Sequence, residues 1–134
     1  MPDRDAALLD LRPSIDADPE AAASEIEAFL HRTLRPVLKL QNETLLSLVA
    51  SEVRKRATGF ERFAPDDQRD HLDALLRSDN RLKRMLLGVV YGALTGSELA
   101  FALAHEAEVR RRVSTLLAER VRSQTDAVAR LVTG

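Results

Sequence analysis

Residues 34–56 read Leu34-Arg35-Pro36-Val37-Leu38-Lys39-Leu40-Gln41-Asn42-Glu43-Thr44-Leu45-Leu46-Ser47-Leu48-Val49-Ala50-Ser51-Glu52-Val53-Arg54-Lys55-Arg56. At about 100° per residue, Leu34, Leu38, Leu45, Leu48 and Val49 share one broad face, the signature of an amphipathic helix. The spacing predicts a helix from Pro36 to about Arg56. Pro36 has no N–H and its ring crowds the carbonyl four residues back, so a kink or a new start is expected at Arg35-Pro36. Gln41 and Asn42 fall inside the apolar face, where an amide must find a hydrogen-bond partner. The preferred reading is a locally satisfied pair that locks the fold. The sharper one joins Gln41 and Asn42 to Arg35 and Lys39 as a polar interaction groove for a ligand.

The same helical period extends both ways. Asp18-Pro19-Glu20 reads as N-cap, first-turn proline and acid, starting a helix to about Leu34 with Ile26, Phe29 and Leu30 inward. Gly59 lies in a connection where Phe60 and Phe63 are both available to plug the core. Pro65 opens a helix with Leu72, Leu75 and Leu76 as its stripe, and Asp79 is the expected N-cap of a helix through Leu94. Thr95 and Glu98 have capping-box spacing. A last helix from about His105 carries Val109, Val113, Leu116, Leu117, Val121, Val128, Leu131 and Val132. No segment alternates with period two. The expected fold is all-α, a compact bundle of five or six helices with a kink at Pro36.

Length and charge set the frame. The chain has 134 residues, 45% of them apolar, and 20 Lys+Arg against 21 Asp+Glu for a net charge of -1. That is one globular domain, not a disordered tail. With no cysteine there is no disulfide, thiolate metal site or cysteine nucleophile. The charge is unevenly spread: residues 1–30 carry net -6 and residues 31–134 net +5. We expect an acidic flexible N-terminal arm over 1–17 and a single helical domain over 18–134. The arm could fold back over the basic surface at Arg110, Arg111 and Arg112.

No apolar signal region opens the chain, so a cytoplasmic location is expected. Met85–Ala104 has the length of a membrane span, but the turn Thr95-Gly96-Ser97-Glu98 would put a charge at the bilayer centre. Two core helices and no membrane association are expected. Gly88, Gly92 and Gly96, four apart, predict close approach of a second backbone, either within the chain or at a dimer seam. The basic runs at 54–56, 81–84 and 110–112 read chiefly as solvated faces, because consecutive residues spray around a helix axis and no aromatic platform interleaves with them. His31, His71 and His105 lack metal-ligand spacing, and no catalytic arrangement or cofactor motif is visible.

Several segments together resemble a family of short all-helical bacterial proteins of uncharacterised function. They are Leu34–Asn42, Asp79-Asn80-Arg81, Met85–Gly88, Thr95, Glu98, Glu108–Arg111 and Arg120–Gln124, within about residues 28–124. Some of those proteins carry a glyoxalase label. That label implies a metal-dependent lyase with His and Glu ligands on strands, a pattern from which this chain departs throughout. The expectation is therefore a non-enzymatic protein-interaction or self-association module, with no cofactor and with a protein partner or a second copy of itself. A small enzyme and a nucleic-acid binder that uses basic helix faces are the competing classes.

Overall fold

The computed structural model describes residues 2–14 and 24–134. Its elements are helices α1 (Pro2–Leu11), α2 (Glu25–Phe29), a π-helical turn (Leu30–Leu34), α3 (Arg35–Leu40), α4 (Asn42–Arg56), a 3-10 turn (Phe60–Arg62), α5 (Pro65–Ser78), α6 (Asn80–Gly92), α7 (Gly96–Ala104), α8 (Glu106–Ser123) and α9 (Thr125–Thr133). There is no strand among the described residues, and the fold is all-α. The expected helix start at Asp18-Pro19 lies outside the described residues. Ser24 caps the helix seen there, its hydroxyl accepting from the Glu27 amide at 3.1 Å.

As expected, a new α-helical segment starts at Arg35-Pro36: α3 begins there with Pro36 in its first turn. One turn before it the helix widens, and the Arg35 amide donates to the Leu30 carbonyl, five residues back. This extra residue per turn re-spaces the carbonyls that a proline ring would otherwise strike, so the strain is absorbed as a π turn. The buried proline then continues into α3. Leu34, Val37 and Leu38 are essentially inaccessible, as are Leu45, Val49 and Val53 of α4. Against them pack Leu72 from α5, Leu82, Leu86 and Val90 from α6, Val109 and Val113 from α8, and Val128 from α9. α4 lies against α6 and α9, and α8 against α5 and α6.

Local caps set the helix starts. The Asp79 carboxylate accepts the Leu82 amide at 3.0 Å to begin α6. At α7 the capping box is complete: Thr95 Oγ1 accepts the Glu98 amide at 3.3 Å and Glu98 Oε1 accepts the Thr95 amide at 2.8 Å. Gly59 at φ +79° supplies the left-handed residue that turns α4 into the 3-10 segment, a conformation costly for any side chain. No helix is long and apolar enough to cross a membrane, among the described residues.

Three expectations are corrected. Residues 2–11, expected as part of a flexible arm, are helical, and α1 is tied down by polar contacts described below. The last helix is two: at Gln124 (φ -122°, ψ 32°) the chain breaks, so Val128 turns onto α4 while Leu131 stays 37% exposed. Among the described residues no second backbone approaches Gly88 or Gly92. A Cβ built on either would meet nothing within 4 Å, and at Gly96 only the Asp5 carboxylate at 3.8 Å. Gly88→Ala should therefore stabilise the fold by about 0.5–1 kcal/mol through helix propensity. Chemical denaturation checks this, and a loss of stability would restore the close-approach reading.

Candidate functional site

Two surface depressions each take one of the sequence's polar candidates, Arg110 in the first and Arg35 in the second. The first is a groove of about 370 Å³ between α6 and α8, reached also by Leu76 of α5. Leu86, Val113 and Leu117 form its floor, buried members of the core stripe that the helical period aims inward. Lys83, Arg84 and Arg110 form its rim. Residues 83–84 and 110 lie on different helices, and the packing of α6 on α8 brings these two basic runs together. Lys83 Nζ donates to the Arg77 carbonyl at 3.0 Å, capping the end of α5. Among the described residues Arg110 makes only an exposed i,i+4 contact with Glu106 at 3.3 Å, a pair worth little and easily exchanged. Arg84 has no ion pair among the described residues. Beside Arg110 and Glu106 the Tyr91 hydroxyl is buried without a hydrogen-bond partner among the described residues, and burial raises its pKa.

The other arginines of the 110–112 run go elsewhere. Arg111 pairs with Glu108 at 2.6 Å, and Arg112 reaches Glu27 of α2 at 2.6 Å. The early acidic segment thus meets basic surface through Glu27. The helical arm docks on a different place. Arg4 donates to the Leu94 and Gly92 carbonyls at 3.1 and 2.9 Å, and Asp5 accepts the Gly96 amide at 3.1 Å. Arg12 donates to the Ala93 carbonyl at 3.1 Å and grips Glu98 with both terminal nitrogens at 2.7 and 2.5 Å. Arginines from α1 and the stretch after it therefore answer the carbonyl-rich C-terminus of α6, where cations are favoured. The expected cover of Arg110–Arg112 by the arm is not what the described residues do.

The second depression is an open cleft of about 450 Å³ lined by Arg35, Leu38, Leu116, Glu119, Arg120, Ser123 and Gln124. Of the four residues expected to form a groove, only Arg35 lines it. Asn42 stands behind it, clasped to Gln124: each side-chain amide donates to the other's oxygen at 2.8 Å. Asn42 Oδ1 also accepts from Arg120 at 3.2 Å. Gln41 points to α6, where the Ala93 amide has turned to the Val90 carbonyl, and donates to the Val89 carbonyl at 3.2 Å. Lys39 is exposed and joins neither depression. Each amide thus has a hydrogen-bond partner, though on an element distant in sequence and not locally, and Arg120 is the cleft residue that sequence reasoning did not single out. Only its helical register with Leu116 and Ser123 could have pointed to it.

A third polar cluster is structural. Glu52, 4% exposed, accepts from Arg56 and Arg81 at 2.9 Å each, and Arg56 also reaches Asp79 at 2.7 Å. The Leu82 amide, with Arg56 and Arg81 nearby, holds the Asp79 carboxyl below its ordinary pKa against the opposing effect of burial. Arg56 and Arg81, expected as part of solvated basic faces, are counter-ions to these two acids. Among the described residues no three His, Asp or Glu groups converge as metal ligands. Comparison with protein-family models, curated proteins and solved structures found no match.

Proposed function

We propose that this chain is a cytoplasmic, non-enzymatic helical interaction module that docks an acidic amphipathic helix of another protein in the groove between α6 and α8. The observation that carries the reading is the pairing of an apolar floor with a basic rim. Half-buried Leu87, over the core residues Leu86, Val113 and Leu117, offers apolar contact to a helix stripe, while at the edge Arg84 has no ion pair among the described residues and Arg110 is weakly paired. This is helix-in-groove recognition, with the apolar stripe supplying affinity and the rim charges supplying register and rate. Gly88 and Gly92, exposed on the outer side of α6, leave a low shoulder over which a docked backbone can pass.

Binding of a fluorescent acidic amphipathic peptide, followed by anisotropy, tests the reading. Binding should weaken as salt rises, and the double variant Arg84→Glu, Arg110→Glu should lose at least about tenfold in affinity while staying folded. A peptide that binds both proteins equally would refute the groove. The competing occupants give different results. A light-scattering dimer abolished by Gly88→Leu points to a second copy, and a duplex that displaces the peptide points to nucleic acid.

A further inference from the structure

The cleft between α3 and α8 sits further along α8 than the proposed docking groove and has a different chemistry. Arg35 and Arg120 line it together, close enough to repel one another, and neither forms an ion pair among the described residues. Like charges gathered in one depression repel, and such an arrangement is stable only if something holds the side chains in place. Here the holder of Arg120 is visible, while Arg35 reaches the cleft as an exposed side chain. Asn42 Oδ1 accepts from Arg120 Nη1 at 3.2 Å, and Asn42 is itself fixed by its two bonds to Gln124. The Gln124 amide also donates to the Arg120 carbonyl at 3.1 Å, and the Ser123 hydroxyl does so at 2.9 Å. Burial, and then repulsion from Arg35, push the Arg120 pKa below its ordinary value, so the charged form has a deficit of counter-charge at this point.

We infer that this cleft, with Arg35 and Arg120 as its two forks, binds the phosphate group of a small phosphate monoester. Each guanidinium can make two parallel hydrogen bonds to an oxyanion. A carboxylate, with two oxygens, is fully served by one fork, whereas the three terminal oxygens of a phosphate monoester can engage both. The volume of about 450 Å³ lies within the range of small-molecule sites. Glu119 stands on the rim, exposed and without an ion pair among the described residues. Its charge leaves the cleft with one net positive charge, which disfavours polyphosphates relative to a monoester. The site is independent of the peptide groove, because it uses neither Arg84 nor Arg110.

Phenyl phosphate, inorganic phosphate, acetate and pyrophosphate, titrated at constant ionic strength, provide the test. NMR of the arginine Nε–H and glutamine side-chain amide signals reads the site, and the shift in Tm reads linkage. Phenyl phosphate and inorganic phosphate should shift Arg35, Arg120 and Gln124 saturably and raise Tm, with acetate and pyrophosphate weaker. Arg35→Gln should weaken phenyl phosphate by at least about tenfold without lowering the Tm of the free protein. Arg130→Gln, removing an exposed cation away from the cleft, should leave binding unchanged. Equal affinity in Arg35→Gln, equal loss in Arg130→Gln, or acetate or pyrophosphate binding as tightly as the monoester would each overturn the assignment.

Discussion

Phe60→Ala should destabilise the protein by about 3–5 kcal/mol, the cost of deleting a fully buried aromatic ring and leaving a cavity. Phe60 is 0% exposed. Its ring lies 5.7 Å from both the Phe63 and His71 rings, and the turn that carries it packs against α9. The backbone there is independently held, because the Phe60 carbonyl accepts the buried Gln68 amide at 3.0 Å. The loss should therefore come from the ring alone, and Phe60→Leu should recover most of it. Urea denaturation of both variants checks the size of the effect. Phe63→Ala is the internal control. That ring is 36% exposed, so its removal should cost less than about 1 kcal/mol, although the two phenylalanines look equivalent in the sequence.

Glu98→Ala should cost about 2–4 kcal/mol, the second-largest effect expected, because one carboxylate serves three elements. It closes the capping box of α7, pairs with Arg12 beyond α1, and accepts from the Thr33 hydroxyl at 3.3 Å. The Arg12 side chain is only 8% exposed, so losing its partner leaves a nearly buried cation. Because α1 is held by a few polar contacts, Arg12 can escape to water by releasing it, which keeps the cost below that of an interior pair. Hydrogen exchange should show residues 2–11 losing protection well before the core does. Retained protection there, with global stability unchanged, would refute the role.

The same carboxylate makes stability depend on pH. Burial pushes the Glu98 pKa up, but hydrogen bonds from Arg12 and from the Thr95 amide, with the charge of Arg12, outweigh it and hold the folded-state value below the ordinary one. A depressed folded pKa means the contribution is complete above the unfolded value of about 4.3 and disappears as pH falls through the folded value. The stability gap between the native protein and Glu98→Gln should thus be constant near neutrality and close below about pH 4. Denaturation series at several pH values measure it directly.

Much of the fold was legible because its signals are local. Asp79 and the Thr95–Glu98 box announce helix starts within one turn of themselves, and Leu72, Leu75 and Leu76 or Val109, Val113 and Leu117 mark buried faces by spacing alone. The expectations that failed were those in which a local pattern has two meanings. Glycines four apart signal close packing only if another backbone arrives, and at Gly88 and Gly92 none does among the described residues. The period from Val109 to Val132 continues across Gln124 without a flaw, because the register of apolar residues does not register a bond made by a polar side chain to another helix.

By itself, then, the sequence determined that the chain is all-helical, where most of its helices begin and which stripes turn inward, since each of these depends on residues within a few positions of one another. The tertiary structure alone decided which helices became neighbours. Asn42 meets Gln124 across 82 positions, Arg12 meets Glu98 across 86, and Glu52 meets Arg81 across 29. The same packing set Arg35 beside Arg120 and brought Lys83 and Arg84 to Arg110. A hydrogen bond or a shared cleft requires contact in space, and helical periodicity records only the direction in which a side chain points, never the element it will face.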